Sequence, residues 1–194
     1  MKQVRSFAVA CTLLLAGVST SSYAQSHKMG SGESNPVQVG SFIVNVGIGA
    51  GADYGGYYYN TAFGVKAALE VGLFQAGPGV ITLGGEIGGS VSDGGYYGYD
   101  GYKSHTIVVA GRAAWHYGWN LGGLDTYGGV SAGPGFRHRA YVDGNGVGVT
   151  DNTVVFAPGI FVGASYFFTP GFGVNVEAGY DITSIQAGVV FKIQ

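Results

Sequence analysis

Apolar and polar residues alternate with a period of two along the C-terminal part of the chain, 172–193. Phe172 and Val174 fall on one face, whereas Asn175 and Glu177 fall on the other. Successive side chains of a β-strand point to opposite sides, so this spacing predicts strands rather than helices. The charged residues share their face with glycines, and the large apolar residues share the opposite one.

The same alternation recurs upstream and predicts eight antiparallel strands. They cover about 37–51, 61–74, 80–91, 104–119, 124–139, 153–168, 172–180 and 184–193. The fifth is the least regular, because glycines blur its phase, and Pro134 predicts a bulge in it. The connections at 52–60, 93–103 and 140–152 are long, and the others are short. Long loops on one side and tight turns on the other are typical of a membrane barrel.

The face that carries charge and glycine is predicted to line the inside of this barrel. Lipid favours an apolar exterior, and eight strands leave an interior just wide enough for side chains. Charges in that space must pair, because an isolated buried charge is costly. We predict a salt-bridged plug, with a narrow path for protons or ions as the alternative. The predicted interior polar network consists of Asn45, Lys66, Glu70, Glu86, Arg112, His116, Glu177 and Gln186.

The N-terminus has the composition of a secretory signal. Lys2 and Arg5 precede an apolar run, 7–18, that is too short to span a bilayer, and Ser22-Tyr23-Ala24 is typical of a cleavage site. The sequence thus predicts a signal peptide at 1–24, a flexible periplasmic leader at 25–36 and a barrel domain at 37–194.

Composition narrows the class of protein further. Charged residues are 10% of the chain, against about a quarter in soluble proteins. Beyond the predicted signal peptide, 7 of 9 basic and all 11 acidic residues remain, a formal balance of −4, which argues against a nucleic-acid partner. Cys11, the only cysteine, lies in the signal peptide, so no disulfide is expected, and no metal or other cofactor is predicted. A soluble lipocalin-like carrier, the chief architectural rival, would place its charge outside.

The signal peptide, the alternating strands and the terminal strand pair at 172–193 resemble the small eight-stranded outer-membrane barrels of Gram-negative bacteria, the OmpX, OmpA and Opa-like group. The resemblance covers the mature chain. It implies an all-β, antiparallel, up-and-down transmembrane barrel in the cell outer membrane. Similar proteins serve as adhesins, envelope tethers, lipid-modifying enzymes or structural barrels, so the resemblance leaves the role open.

Two exposed groups are candidates for binding. The predicted first and second loops are rich in tyrosine, which gives binding surfaces a large contact area with a polar tip; alternatively, these rings extend an aromatic girdle. The tyrosines are Tyr57, Tyr58, Tyr59, Tyr96, Tyr97, Tyr99 and Tyr102. Arg137, His138 and Arg139 form a basic cluster that could contact lipopolysaccharide phosphates or neutralise nearby aspartates.

Catalysis finds little support in the sequence. Ser104, His105 and Asp100 have the residue types of a hydrolytic triad, but neighbours in a strand face opposite ways. The prediction is therefore a non-enzymatic, monomeric barrel with a structural or surface adhesion role through the tyrosine-glycine loops. Its partners would be membrane lipid, lipopolysaccharide and a possible surface ligand. A lipid-modifying enzyme and a narrow channel remain the alternatives.

Overall fold

The computed structural model describes residues 35–51, 62–96, 99–119, 121–142 and 145–193, with the backbone alone at 93–96 and 99–102. The predicted signal peptide and most of the predicted leader lie outside these residues. No helix in the described part of the chain is long and apolar enough to cross a membrane.

Eight strands form one closed antiparallel barrel, in which each strand pairs with the next and the last pairs with the first. This confirms the predicted fold class. The strands are β1 Phe42–Gly51, β2 Ala62–Ala76, β3 Gly79–Tyr96, β4 Tyr99–Tyr117, β5 Leu124–Val142, β6 Gly148–Thr169, β7 Phe172–Tyr180 and β8 Thr183–Ile193.

The two faces of the barrel wall have opposite polarity. On β2, Lys66 and Glu70 point inward and are at most 2% exposed, whereas Val65 and Leu69 point outward and are 58% and 48% exposed. The other strands follow the same rule, so large apolar side chains cover the exterior. A closed barrel satisfies its backbone hydrogen bonds internally, which a structure in lipid must do. With this apolar belt, the molecule is a transmembrane β-barrel.

An aromatic group marks the end of the belt where the short turns lie. Tyr117 packs against Trp115 and Trp119, with ring centroids 5.7 and 5.0 Å apart. The indole N–H of Trp115 donates to Ala76 O at 3.0 Å, and that of Trp119 donates to Thr126 Oγ1 at 2.8 Å. Rings with satisfied polar edges are typical of the membrane–water interface.

The predicted bulge at Pro134 is wrong. Pro134 pairs with Phe156 of β6 within an unbroken register that runs the whole length of β5. The inward face is continuous through Tyr127, Ser131 and Gly135. Because glycines occupy several inward positions of β5, its sequence pattern loses contrast while its backbone stays regular. Pro134 itself faces outward.

Two of the three predicted loops are mostly strand. β3 reaches Tyr96 and β4 begins at Tyr99, so most of the predicted loop 93–103 is a hairpin. β5 ends at Val142 and β6 begins at Gly148, so strand residues make up most of the predicted loop 140–152, and the connection is 143–147. The remaining loop, 52–60, lies outside the described residues. β4 and β6 contain 19 and 22 residues, about twice the roughly 10 that cross a membrane, so their hairpins project beyond it.

The first strand begins at Phe42 rather than at the predicted residue 37. Residues 35–41, here called the N-terminal segment, instead fold across the mouth of the barrel on the turn side. Gly40 has a φ of 88°, a left-handed conformation that glycine adopts without strain. Its N–H donates to Gly72 O at 2.8 Å, and Gly72 N–H donates to Ser41 O at 2.9 Å, so the segment is attached to the end of β2.

Side chains of the N-terminal segment attach it to distant parts of the barrel. Val37 is 1% exposed and joins an apolar cluster whose other members are Ile43, Phe167 and Val190. The Asn35 amide donates to Pro78 O at 2.8 Å and accepts from Gly118 N at 2.6 Å, which links the β2–β3 and β4–β5 turns. The predicted leader therefore ends in residues that are bonded to the barrel.

Candidate functional site

Arg112 is at the centre of the interior polar network. It projects inward from β4, is 1% exposed and meets carboxylates on three other strands. Its Nε lies 2.7 Å from Glu70 Oε1, its Nη1 3.0 Å from Glu86 Oε2 and its Nη2 2.6 Å from Glu177 Oε2. Because all three guanidinium nitrogens are engaged in a fixed fork, a lysine here could not make the same three contacts. The arrangement connects β2, β3, β4 and β7 across the lumen.

Lys66 extends the network toward the loop side. Its Nζ donates to Glu177 Oε1 and, at 2.6 Å, to Asp181 Oδ2, and it lies 3.8 Å from Glu86 Oε2. Asp181 belongs to the tight β7–β8 turn, which folds inward so that this side chain is buried. Burial acts to raise the pKa of Asp181, but the Lys66 ammonium outweighs it and holds that pKa below its ordinary value. The β7–β8 turn thus contributes a buried carboxylate to the interior polar network.

His116 extends the network toward the turn side. Its Nδ1 is 2.8 Å from Asp125 Oδ2, and its Nε2 is 3.3 Å from Glu70 Oε2. A carboxylate accepts hydrogen bonds, so a ring that faces carboxylates at both nitrogens donates from both and carries a positive charge. Thr82 Oγ1 also donates to Glu70 Oε2.

Aromatic rings pack among these charges. The guanidinium carbon of Arg112 lies 3.6 Å from the centroid of the Phe161 ring and 5.8 Å from that of Tyr127. The His116 ring stacks on Tyr127 with a centroid separation of 4.9 Å. Cations on ring faces add a favourable electrostatic contact at desolvated sites. The described side chains pack against one another and fill the lumen at this level.

Carboxylates outnumber cations in the linked network. Five acidic residues face three cations, and the acidic ones are Glu70, Glu86, Asp125, Glu177 and Asp181. Two oxygens, Glu86 Oε1 and Asp125 Oδ1, are buried with no hydrogen-bond partner among the described residues. Among those residues, no group of three or more His, Cys, Asp or Glu side chains converges on one point.

The structure connects six of the eight residues predicted for the network: Lys66, Glu70, Glu86, Arg112, His116 and Glu177. Asn45 and Gln186 also face inward and are buried, but Gln186 accepts from Thr183 Oγ1 at 3.0 Å instead. The prediction missed Asp125 and Asp181. Asp125 lies in the strand whose phase was blurred, and Asp181 continues the polar alternation of β7 into a position predicted to be a turn.

Interior glycines provide the space for the large side chains. A Cβ on Gly163 would lie 2.4–2.6 Å from atoms of the Tyr127 ring, and one on Gly129 would lie 2.5 Å from Phe161 Cζ. Such distances are well inside van der Waals contact, so any larger residue would displace the rings. The clustering of glycine with charge in the sequence has this steric origin.

The proposed basic cluster does not form one surface. Arg137 and Arg139 face the inside of the barrel and Arg137 is 7% exposed, whereas His138 faces outward. Consecutive strand residues alternate, which the prediction of a joint lipopolysaccharide contact neglected. The same alternation separates Ser104, which is 2% exposed and inward, from the exposed His105. These two side chains do not form a catalytic pair.

Of the predicted tyrosine surface, Tyr57, Tyr58, Tyr59 and Tyr97 lie outside the described residues. The backbone places Tyr96, Tyr99 and Tyr102 in the β3–β4 hairpin, where Tyr96 pairs with Tyr99 and Gly94 with Tyr102. These tyrosines thus belong to a projecting β-hairpin, whose register shifts between Gly94 and Tyr96, rather than to a loop.

No protein-family model matches the chain, and no curated protein matches it. Among solved structures, the chain is similar to Ail, the attachment invasion locus protein of Yersinia pestis, with 11% identity, a TM-score of 0.44, and coverage of 80% of this chain and 100% of that one. The N-terminal barrel domain of Pseudomonas aeruginosa OprF is also similar, with 17% identity, a TM-score of 0.44, and coverage of 80% of this chain and 98% of that one. Neisserial surface protein A is similar with 10% identity, a TM-score of 0.40, and coverage of 79% of this chain and 93% of that one.

The surfaces of this molecule, independently of the similar structures, are those of a membrane protein. The ring is closed, its exterior is apolar, its interior is charged, and an aromatic group marks one interface. Together these features make the chain an eight-stranded transmembrane β-barrel.

Proposed function

We propose that this protein is a non-conducting surface barrel that binds an external ligand through its tyrosine-glycine hairpin and loop. The observation that carries the proposal is the unequal height of the wall. β3, β4, β5 and β6 have 18 to 22 residues, whereas β1 and β7 have 10 and 9. Strand length beyond the membrane has no role in spanning it, so the tall side displays the hairpins to the exterior.

The packed interior favours display over transport. The side chains of Arg112, Lys66 and Phe161 fill the lumen, and the N-terminal segment crosses the turn-side mouth. A channel would need a continuous aqueous path, and eight-stranded barrels generally have none. A structural role in the envelope is compatible with the same features. Ser104 and His105, the pair considered for catalysis, face opposite sides of β4, which argues against a lipid-modifying enzyme.

A binding assay tests the proposal. Folded protein in lipid vesicles is applied to surfaces that carry immobilised sulfated glycans, neutral glycans or extracellular-matrix proteins. We expect saturable binding to one class, and we expect it to be lost when Tyr96, Tyr97, Tyr99 and Tyr102 are all replaced by serine. Tyr166→Ser, on the lipid-facing wall at the turn side, is the matched control and should bind as the wild type does. Equal binding by the hairpin variant would refute the adhesion role.

Lipopolysaccharide contact is proposed in a narrower form. Of the basic cluster, only His138 faces outward, and Lys103 on the adjacent strand shares that face near the loop side. Lipid phosphates at the membrane surface attract a cation such as Lys103 modestly. Lys103→Ala should then weaken retention of the barrel by lipopolysaccharide-containing vesicles relative to vesicles of neutral phospholipid. An equal effect in both vesicle types would contradict the contact.

A further inference from the structure

Two exposed histidines face each other on the outer wall, just beyond the apolar belt on the loop side. His105 of β4 and His138 of β5 are direct cross-strand partners. Both side chains point outward, and their ring centroids are 6.5 Å apart. One position nearer the membrane on this face lie the apolar Ile107 and Phe136, which are 54% and 50% exposed. The histidine pair therefore sits where the belt meets water.

A third residue fixes the orientation of one ring. His138 Nδ1 lies 2.7 Å from Asn152 Oδ1, on the neighbouring strand β6. The amide oxygen only accepts, so Nδ1 carries the proton, and the neutral ring then presents the lone pair of Nε2. Histidines that bind metals characteristically donate their other ring N–H to an oxygen in this way.

From this geometry we propose a surface site for a divalent transition-metal ion, formed by His105 and His138 and oriented by Asn152. Two imidazoles on one tetrahedral ion, at metal–nitrogen distances of about 2 Å, have ring centres roughly 5 Å apart. The observed centroid separation is 6.5 Å, and a rotamer change of the exposed His105 alone would close the difference while His138 keeps its bond to Asn152. Because the protein contributes two nitrogens, the remaining coordination positions are left to water. Imidazole ligands suit Zn²⁺, Ni²⁺ and Cu²⁺ rather than Ca²⁺ or Mg²⁺.

The metal site does not rest on the proposed adhesion. Substitution of Lys103 distinguishes a metal site from a phosphate-binding site on the same face. Lys103 is exposed on the same face, two positions from His105. A lysine repels a metal cation and attracts an anion. Lys103→Ala should thus tighten Zn²⁺ binding by roughly two- to fivefold, whereas it would weaken the binding of inorganic phosphate to an anion site.

The test is calorimetric titration of ZnCl₂ into tag-free protein folded in detergent micelles, in a buffer without phosphate. We expect one Zn²⁺ per chain and tighter binding of Cu²⁺ in the same site. His105→Ala and His138→Ala should each abolish saturable binding, and Asn152→Ala should weaken it by about tenfold. The His27→Ala variant, outside the described residues, is the matched control and should bind normally.

Two outcomes would overturn the site. One is unchanged Zn²⁺ affinity in the His105→Ala and His138→Ala variants, and the other is loss of binding in His27→Ala alone. Because both rings are exposed, these substitutions should leave the barrel folded. The shift in electrophoretic mobility between heated and unheated samples verifies this for each variant, so that a lost site is distinguished from a lost fold.

Discussion

The inner and outer faces of the barrel are formed by alternate residues of the same strands, yet they are constrained differently. On the outside, Val65 and Leu69 meet lipid, and another apolar residue of similar size would serve in either place. On the inside, Arg112 must reach Glu70, Glu86 and Glu177 at once. The outer face therefore specifies a class of residue, whereas the inner face specifies individual partners.

Removal of the central cation should have the largest effect. Arg112→Met keeps much of the side-chain volume but leaves three carboxylates buried without their main partner. We expect the free energy of unfolding to fall by about 3–5 kcal/mol, measured by guanidinium titration of protein in lipid vesicles. Arg112→Lys retains the charge without the fork and should lose less. A Met variant as stable as the wild type would show that the network does not hold the wall together.

A charge on the outer face should have the next largest effect, and one that depends on depth. Val162 is 63% exposed on the lipid-facing side of β6. Val162→Arg should cost about 2–4 kcal/mol if this position is near the middle of the bilayer. Thr150→Arg, on the same face of the same strand at its loop-side end, is the matched control and should cost about 0–1 kcal/mol. Equal costs at the two positions would contradict the placement of the belt.

A single methyl group should reveal the steric constraint inside. Gly163→Ala places a Cβ within 2.4–2.6 Å of the Tyr127 ring, whereas a Cβ on Gly128 meets nothing closer than 3.6 Å. We expect Gly163→Ala to destabilise the barrel by about 1–3 kcal/mol and Gly128→Ala to be nearly neutral in the same unfolding assay. If both variants behave alike, the interior is less tightly packed than the contacts of Tyr127 indicate.

The difference between the faces also explains what could be predicted from the sequence. Alternation assigns each residue to a face, so the closed barrel and the inward position of Lys66 and Glu86 followed from pattern alone. Pairing between charges depends on register and shear, which place β2, β3, β4 and β7 together around Arg112. A period-two pattern contains no such information. Asp181 was missed as a network member because it lies in a position predicted to be a turn, although it continues the polar alternation of β7.

The exposed residues that are candidates for binding also show that neighbours in sequence differ from neighbours in space. Arg137 and His138 are adjacent in sequence and lie on opposite faces, whereas His105 and His138 are 33 positions apart and face each other across one ladder. The relevant neighbour of a strand residue is set by pairing with the next strand. Pairing registers, and not local clusters, define the surfaces that could bind a ligand or an ion.

The N-terminal segment has a consequence for assembly. Its partners belong to strands far apart in the sequence: Gly72 in β2, Gly118 after β4, Phe167 in β6 and Val190 in β8. These groups occupy one mouth only after the last strand has joined the first. The segment can therefore complete its contacts only on a closed ring, and a fluorescent probe attached at the exposed Val39 would report the moment of closure.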